Sequence, residues 1–157
     1  MNTLKTIGRN AVLFAIGGTI YYMIELIWRG YSSLPMVLVG GLCFLFCGSI
    51  NEFLGWDMLI WKQMFICAVG ITAIEFLSGY ILNIVLGLGI WDYSNMPFNI
   101  IGQICLPFTV AWYILSLLAI VLDDHLRYWI FGEEKPRYKW RLSLIHISEP
   151  TRRRGIS

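Results

Sequence analysis

Four long apolar runs constrain the fold of this chain more than any other feature of its sequence. Each run approaches or exceeds the roughly 20 residues that a helix needs to cross the hydrocarbon core of a bilayer. Only 14% of the 157 residues are charged, against about 25% in an average soluble domain. We therefore predict an all-α, polytopic transmembrane helix bundle with about four spans, at residues 11–28, 35–50, 63–89 and 99–122.

The C-terminal residues differ in character from the rest of the chain. The stretch 142–152 resembles, codon for codon, a translated transposase adapter from sequencing libraries. We interpret residues 142–157 as non-native, which leaves residues 1–141 as a single transmembrane domain. Its last part, 123–141, is a charged juxtamembrane segment. On this interpretation the native part is electrically neutral, and the arginines at 152–154 are not a nucleic-acid-binding patch.

A polar stripe runs along the third span. Its members lie three, four and four residues apart: Thr72, Glu75, Gly79 and Asn83. This spacing places them on one face of a helix. A carboxylate within a span costs roughly 2.5–3.5 kcal/mol on insertion scales, so such residues usually face protein or a water-filled path. Two interpretations stay open: a lining of a substrate, proton or ion path, and a structural carboxylate with Asn83 as interhelical glue.

The first span carries a second carboxylate, Glu25, close to its end. Arg29 follows four residues later, so an ion pair can offset part of the cost of burying Glu25. Glu25 either belongs to a polar face directed into the bundle or forms an interfacial ion pair at the end of the span. The candidates for a substrate or ion path are therefore Glu75, Asn83, Glu25 and Thr72.

The connection between the third and fourth spans combines aromatic residues with turn formers. Trp91 and Tyr93 are typical of the headgroup level of a membrane. The turn formers are Asp92, Ser94, Asn95 and Pro97. We expect Asn99 to cap the fourth span. Pro107, placed in the first third of that span, is expected to kink it and to free a backbone carbonyl near Gln103.

Basic residues are distributed unevenly between the two sides of the predicted membrane. One side holds both terminal flanks, with Lys5, Arg9 and most of the C-terminal lysines and arginines, whereas the other holds only Arg29. By the positive-inside rule, the N and C termini are both cytoplasmic. The prediction is a multi-pass membrane protein in contact with the lipid bilayer.

No catalytic, metal or cofactor site is predicted. The four cysteines lie inside apolar runs without a Cys-x-x-Cys pair: Cys43, Cys47, Cys67 and Cys105. We interpret them as buried free thiols. The short cluster Asp123-Asp124-His125 is too small to predict a metal site, and no nucleophile–base pair is evident. We do not expect this chain to be an enzyme.

The loop and the start of the fourth span also contain a longer motif, W-D-Y-S-x-x-P-F-N-x-x-G-x-I-C-L at residues 91–106. Together with Glu25, Arg29-Gly30 and Glu75, it resembles the bacterial family called putative ABC-transporter type IV, over residues 16–123. The loop motif comprises Trp91, Asp92, Tyr93, Ser94, Pro97, Asn99, Gly102 and Gln103. The family commonly has an arginine where Gln103 stands, so position 103 is not expected to supply a charged partner for Glu75.

This resemblance implies a multi-span protein of the bacterial inner membrane, of the kind labelled an ABC transporter permease, without implying a substrate. The sequence lacks the G-x-x-x-x-G-K-[ST] phosphate loop, so a permease role implies a separate ATPase subunit. Four spans would also call for a second copy, as a homo-oligomer, or another subunit to form a pathway. The alternative is a non-transporting membrane scaffold or interaction protein.

Overall fold

The computed structural model of the chain describes residues 2–141. Its helices are α1 (Thr3–Arg29), α2 (Leu34–Gly48), α3 (Ile50–Leu54), α4 (Ile60–Gly79), a π-helical segment (Tyr80–Val85) and α5 (Leu106–Phe131). Because α3 continues α2 and the π-helical segment continues α4, the described residues contain four helical segments long and apolar enough to cross a membrane. The prediction of an all-helical membrane bundle is confirmed. The segment interpreted as non-native, 142–157, lies outside the described residues.

Local capping sets the ends of the two longest helices. The side chain of Asn2 accepts a hydrogen bond from the backbone N–H of Leu4 at 3.2 Å, so α1 begins well before residue 11. Gly30 ends α1 in a left-handed conformation, with φ of 78°. Gly132 ends α5 in the same way, with φ of 66°. The fourth helix therefore continues nine residues beyond Leu122, and residues 123–131 are helical.

Pro107 does not kink the fourth span, contrary to the sequence-based expectation. The helix α5 begins at Leu106, so Pro107 occupies its first turn. Backbone N–H groups in that turn have no intrahelical acceptor, and a proline there removes no helical hydrogen bond. The N-cap residue is Cys105 instead of Asn99. The expectation that Asn99 caps this helix is wrong, because residues 99–105 still belong to the loop.

The second helix is the centre of the bundle, since α2 packs against α1, α4 and α5. Glycines permit the close approach of α1 and α2. A Cβ atom at Gly40 would lie 2.6 Å from the Cβ of Tyr21, and one at Gly18 would overlap the carbonyl oxygen of Val37. Helix association in lipid relies on such van der Waals contact between small residues.

The bundle has two distinct ends. The terminal end comprises the start of α1, α3, the connection 55–59, the end of α5 and the segment 132–141. Arg9 and Glu133 form an ion pair there at 2.5 Å, and the backbone N–H of Ile60 donates to the carbonyl of Lys139 at 2.8 Å. The loop end comprises the end of α1, the turn 30–33 and the loop 86–105. The N terminus and the segment after α5 therefore lie at the same end of the bundle.

Two glycines of α1 provide a matched test of this packing. We expect Gly18→Ala to destabilise the bundle by about 1–3 kcal/mol, because the new methyl group overlaps the backbone of α2. Gly8→Ala serves as the control: a Cβ there meets nothing within 4 Å, so the change should be neutral or stabilising by up to about 1 kcal/mol. Thermal unfolding in detergent micelles measures both effects. Equal melting temperatures for the two variants would contradict the proposed role of Gly18.

Candidate functional site

Glu75 is buried in the bundle and, among residues 2–141, is bound only by neutral hydrogen-bond donors. Its side chain lies on α4, and the residue is 6% exposed. The hydroxyl of Tyr93 donates to Oε1 at 2.9 Å, and the indole Nε1–H of Trp112 donates to Oε2 at 3.0 Å. Within residues 2–141 no lysine or arginine forms an ion pair with Glu75. The carboxyl group is thus held by the loop and α5 without a fixed countercharge.

A small cavity adjoins this carboxyl group. Its volume is about 50 Å³, and its lining residues are Tyr21, Met36, Val39, Gly40, Cys43, Ile71, Glu75, Trp91 and Trp112. One water molecule occupies about 30 Å³ in the liquid. The cavity therefore has room for one or two waters or a small ion, and it is too small for an organic solute in this conformation.

Tyr21 connects the two carboxylates that the sequence identified. Its ring lines the cavity of Glu75, and its hydroxyl donates to Oε1 of Glu25 at 3.0 Å. The other oxygen of Glu25 forms an ion pair with Arg29 at 2.9 Å and accepts a hydrogen bond from Ser32 at 2.6 Å. Glu25 is therefore a buried, ion-paired residue at the end of α1, and it is joined to the cavity lining through Tyr21. Its role in a polar path stays a prediction.

Asn83 ties the π-helical segment to the loop. Its side-chain amide donates to Oε1 of Gln103 at 2.8 Å, and its own Oδ1 accepts from the backbone N–H of Ile90 at 2.6 Å. Gln103 is 5% exposed, and its backbone carbonyl accepts from the indole of Trp91 at 3.0 Å. Gln103 thus binds Asn83 and does not contact Glu75 through a hydrogen bond. Trp91 is buried in the protein and is not an exposed anchor in the headgroup region.

Thr72 lies one turn from Glu75 and joins two helices. Its hydroxyl and that of Thr109 on α5 are 3.2 Å apart. The polar stripe of α4 therefore faces α5 and the loop along its length. Of the four path candidates, Glu75 lines the cavity, Glu25 reaches it through Tyr21, and Thr72 and Asn83 bond to neighbouring elements. A role of these residues in a path stays a prediction.

The loop is built around its own hydrogen bonds. The side-chain amide of Asn99 donates to the carbonyl of Met96 at 2.9 Å, and its Oδ1 accepts from the N–H of Gly102 at 3.1 Å. The N–H of Tyr93 donates to the carbonyl of Gly102 at 2.7 Å. Pro97 lies exposed in the turn between these contacts. These bonds hold the backbone of Tyr93, whose ring stacks on Phe108 with centroids 4.8 Å apart.

Hydrogen bonding and burial shift two pKa values in the loop. The hydroxyl of Ser94, and then its backbone N–H at 2.9 Å, lower the pKa of Asp92 because both donate to its carboxylate. Burial, and then the charge of Glu75, raise the pKa of Tyr93. The phenol of Tyr93 therefore stays protonated and available as a donor to Glu75.

Sequence reasoning missed the partners of Glu75 and an entire second cluster. Tyr21 and Trp112 lie on other helices than Glu75, so local patterns in the sequence do not indicate that both adjoin it. At the terminal end, the structure also brings together Arg9, Glu52, Asp123, Arg127 and Glu133. Asp123 and Arg127 have the i,i+4 spacing of a helical ion pair, whereas the other contacts of this cluster join residues far apart in the chain.

Comparison with known proteins gives one family. A family model described as "Putative ABC-transporter type IV" matches residues 12–148. No curated protein matches the chain, and no solved structure matches it. The matched region includes most of the first membrane-length segment, the other three in full, and the complete site around Glu75.

Gly102 provides a test of the loop that presents Tyr93. Its φ is 70°, and a Cβ there would lie 2.6 Å from the hydroxyl of Ser94 and 2.7 Å from Oδ1 of Asp92. We expect Gly102→Ala to destabilise the protein by about 1–3 kcal/mol. Gly89→Ala is the control, because Gly89 also has a positive φ, 59°, but open space around it. The hydrogen-exchange rates of the loop amides should increase more in Gly102→Ala than in Gly89→Ala. Equal increases would show that the contacts of the new methyl group with Ser94 and Asp92 do not matter.

The bond between Asp92 and Ser94 makes loop order depend on acidity. Because the pKa of Asp92 is lower in the folded loop, its bonds stabilise the loop above the unfolded pKa of about 3.9. This stabilisation is lost as the pH falls through the folded pKa. Ser94→Ala should raise the pKa of Asp92, measured by carbon NMR titration of labelled aspartate. Asn95→Ala, in the same turn, is the control, and an unchanged pKa in Ser94→Ala would refute the assignment.

Proposed function

Since the chain belongs to the family described as putative ABC-transporter type IV, we propose that it is the permease component of an ABC-type transporter. The family and the four apolar segments fit a membrane transporter component, and they suggest a non-enzymatic role. We further propose a task for the site at the loop end: Glu75 is the polar group in the membrane on which transport depends.

The observation behind this proposal is the environment of the Glu75 carboxyl group. It is buried beside a cavity and is held by two neutral donors, Tyr93 and Trp112. The two donors would also suit a structural carboxyl group, whereas the adjoining cavity has no structural purpose. A carboxyl group without a fixed countercharge can exchange a proton or accept a small cation. Glu25, joined to the cavity through Tyr21, is the second group of this path.

The proposal includes a separate ATPase subunit and a second copy of the chain or another membrane subunit. The cavity of about 50 Å³ in one copy does not form a passage, so a pathway would require helices from a further subunit or a different conformation. Both termini are proposed to be cytoplasmic in the bacterial inner membrane, because most basic residues lie at the terminal end. The loop end would then face outward.

A membrane scaffold or interaction protein is the second candidate, and a specific observation favours it. Thr72 and Asn83, on the same stripe as Glu75, bond to Thr109 and Gln103. These contacts join helices and loop, as interhelical hydrogen bonds do in membrane proteins that transport nothing. On this view the donors of Glu75 serve the same structural purpose.

Two replacements of Glu75 separate the candidate functions, because one keeps hydrogen bonds to Tyr93 and Trp112 and the other removes them. In Glu75→Gln, the amide oxygen can accept from Trp112 while the amide nitrogen donates to the hydroxyl oxygen of Tyr93, since a tyrosine hydroxyl both donates and accepts. We expect Glu75→Gln to keep the melting temperature of the wild type and to abolish transport. Glu75→Leu leaves both donors unpaired, at roughly 1–3 kcal/mol each, and should lower the melting temperature.

Transport of an unidentified substrate is measured by comparing the small-molecule contents of cells that produce wild-type protein, Glu75→Gln or no protein. The tagged full chain is also purified in mild detergent and its companions identified by mass spectrometry. The permease is supported if the wild-type protein changes these contents and Glu75→Gln leaves them as they are in cells without the protein. Recovery of a stoichiometric nucleotide-binding ATPase supports it further. Equal contents in all three kinds of cell, or recovery of the chain without any ATPase, would favour the scaffold. A Glu75→Gln protein that transports like the wild type would refute the role of Glu75.

A further inference from the structure

Exposed apolar and basic residues adjoin where α4 begins, at the terminal end and away from the site of Glu75. Trp61, Phe65 and Val69 are exposed and lie four residues apart, so they form one apolar stripe along the outer face of the helix. Lys62 is also exposed and follows Trp61 at the end of this stripe. Its ammonium group lies 5.5 Å from the centre of the Trp61 ring. In a membrane, lipid acyl chains cover the apolar stripe, and Lys62 is left at its headgroup end.

The segment after α5 brings further basic residues to the same place. The backbone N–H of Ile60, the first residue of α4, donates to the carbonyl of Lys139 at 2.8 Å. The hydroxyl of Tyr138 donates to Asp124 on α5 at 3.0 Å, which fixes the segment just before this contact. Residues 139–141, two basic residues and an exposed tryptophan, therefore lie beside the first turn of α4.

Three basic residues meet here, and within residues 2–141 none of them is in an ion pair. This basic patch consists of Lys62, Lys139 and Arg141. Two acidic residues lie near it in the chain. Asp57 is exposed in the turn before α4, and Glu134 is already paired with Arg137. Three positive charges against the one negative charge of Asp57 leave a net charge of +2, which favours an anionic ligand.

We propose that the basic patch binds the headgroup of an anionic phospholipid whose acyl chains lie along the apolar stripe of α4. Lysine and arginine donate charge-assisted hydrogen bonds to phosphate oxygens, and basic residues beside a membrane helix attract anionic lipids. The exposed indoles of Trp61 and Trp140 suit the same interfacial level.

The apolar stripe distinguishes a lipid from a soluble phosphate, because a soluble anion would gain nothing from the exposed side chains of Phe65 and Val69. The orientation of the chain in the membrane requires basic residues at one end, but it does not require them to converge beside one apolar stripe. A bound headgroup would join α4 to the segment after α5, since Lys62 belongs to the first and Lys139 to the second. The site is independent of the transport role proposed for Glu75.

Native mass spectrometry of the full chain in nonionic detergent micelles tests this site. Dioleoyl phosphatidylglycerol and dioleoyl phosphatidylcholine are titrated separately, and the fraction of lipid-bound protein gives each affinity. We expect phosphatidylglycerol to bind about fivefold more tightly or better, because only its headgroup carries a net negative charge. Soluble glycerol 3-phosphate should not displace it, since that anion lacks acyl chains. Lys62→Gln should weaken the binding of phosphatidylglycerol about three- to fivefold.

Lys5→Gln is the matched control, because Lys5 is an exposed lysine at the same end of the bundle but on α1, which packs chiefly against α2. Its affinity for phosphatidylglycerol should equal that of the wild type. Thermal unfolding without added lipid checks that each variant folds, and Arg141→Gln, with the same expected weakening, decides the matter if Lys62→Gln does not. Equal weakening in Lys62→Gln and Lys5→Gln would overturn the proposal, as would equal affinities for the two lipids. Displacement by glycerol 3-phosphate would overturn the lipid as ligand in favour of a soluble phosphate.

Discussion

The structure depends on satisfying polar groups within an apolar bundle, and Glu75 is the clearest instance. A buried carboxyl group without donors would destabilise the fold, and no basic residue in the described part of the chain is paired with it. The loop end supplies Tyr93 and α5 supplies Trp112. The loop's own bonds, from Asn99 to Met96 and Gly102, keep Tyr93 in place. Glu75 thus links α4 to the loop end and to α5, while the loop's own bonds order its backbone.

At the terminal end, buried charged groups are stabilised mainly by ion pairs. Arg9, Glu52, Arg127 and Asp123 form a continuous network that joins α1, α3 and α5. Gly48 makes room for it, since a Cβ there would overlap the carboxylate of Asp123. Glycine therefore serves two purposes in this bundle: close contact between α1 and α2, and space beside α2 for a buried charge.

The sequence predicted what depends on local patterns. Apolar runs predicted the membrane-length segments, and helical spacing placed Thr72, Glu75 and Asn83 on one face. Sequence-based prediction failed where the structure depends on contacts between residues that are far apart in the chain. Asn99 looked like a helix cap, but its bonds to Met96 and Gly102 hold it in the loop. Arg9 and Glu133 are separated by 124 positions, and nothing local to either residue indicates the pair.

The two polar ends are separated by a buried apolar layer, which bears on how the chain could transport anything. Cys47, Ile71 and Ile120 belong to one hydrophobic cluster. Each lies along its helix between residues of the Glu75 region and residues of the terminal end. An ion or solute could not cross this layer without an unfavourable loss of hydration. A permease built from this chain would therefore require α2, α4 and α5 to separate at these residues, or a path along the interface with a second subunit.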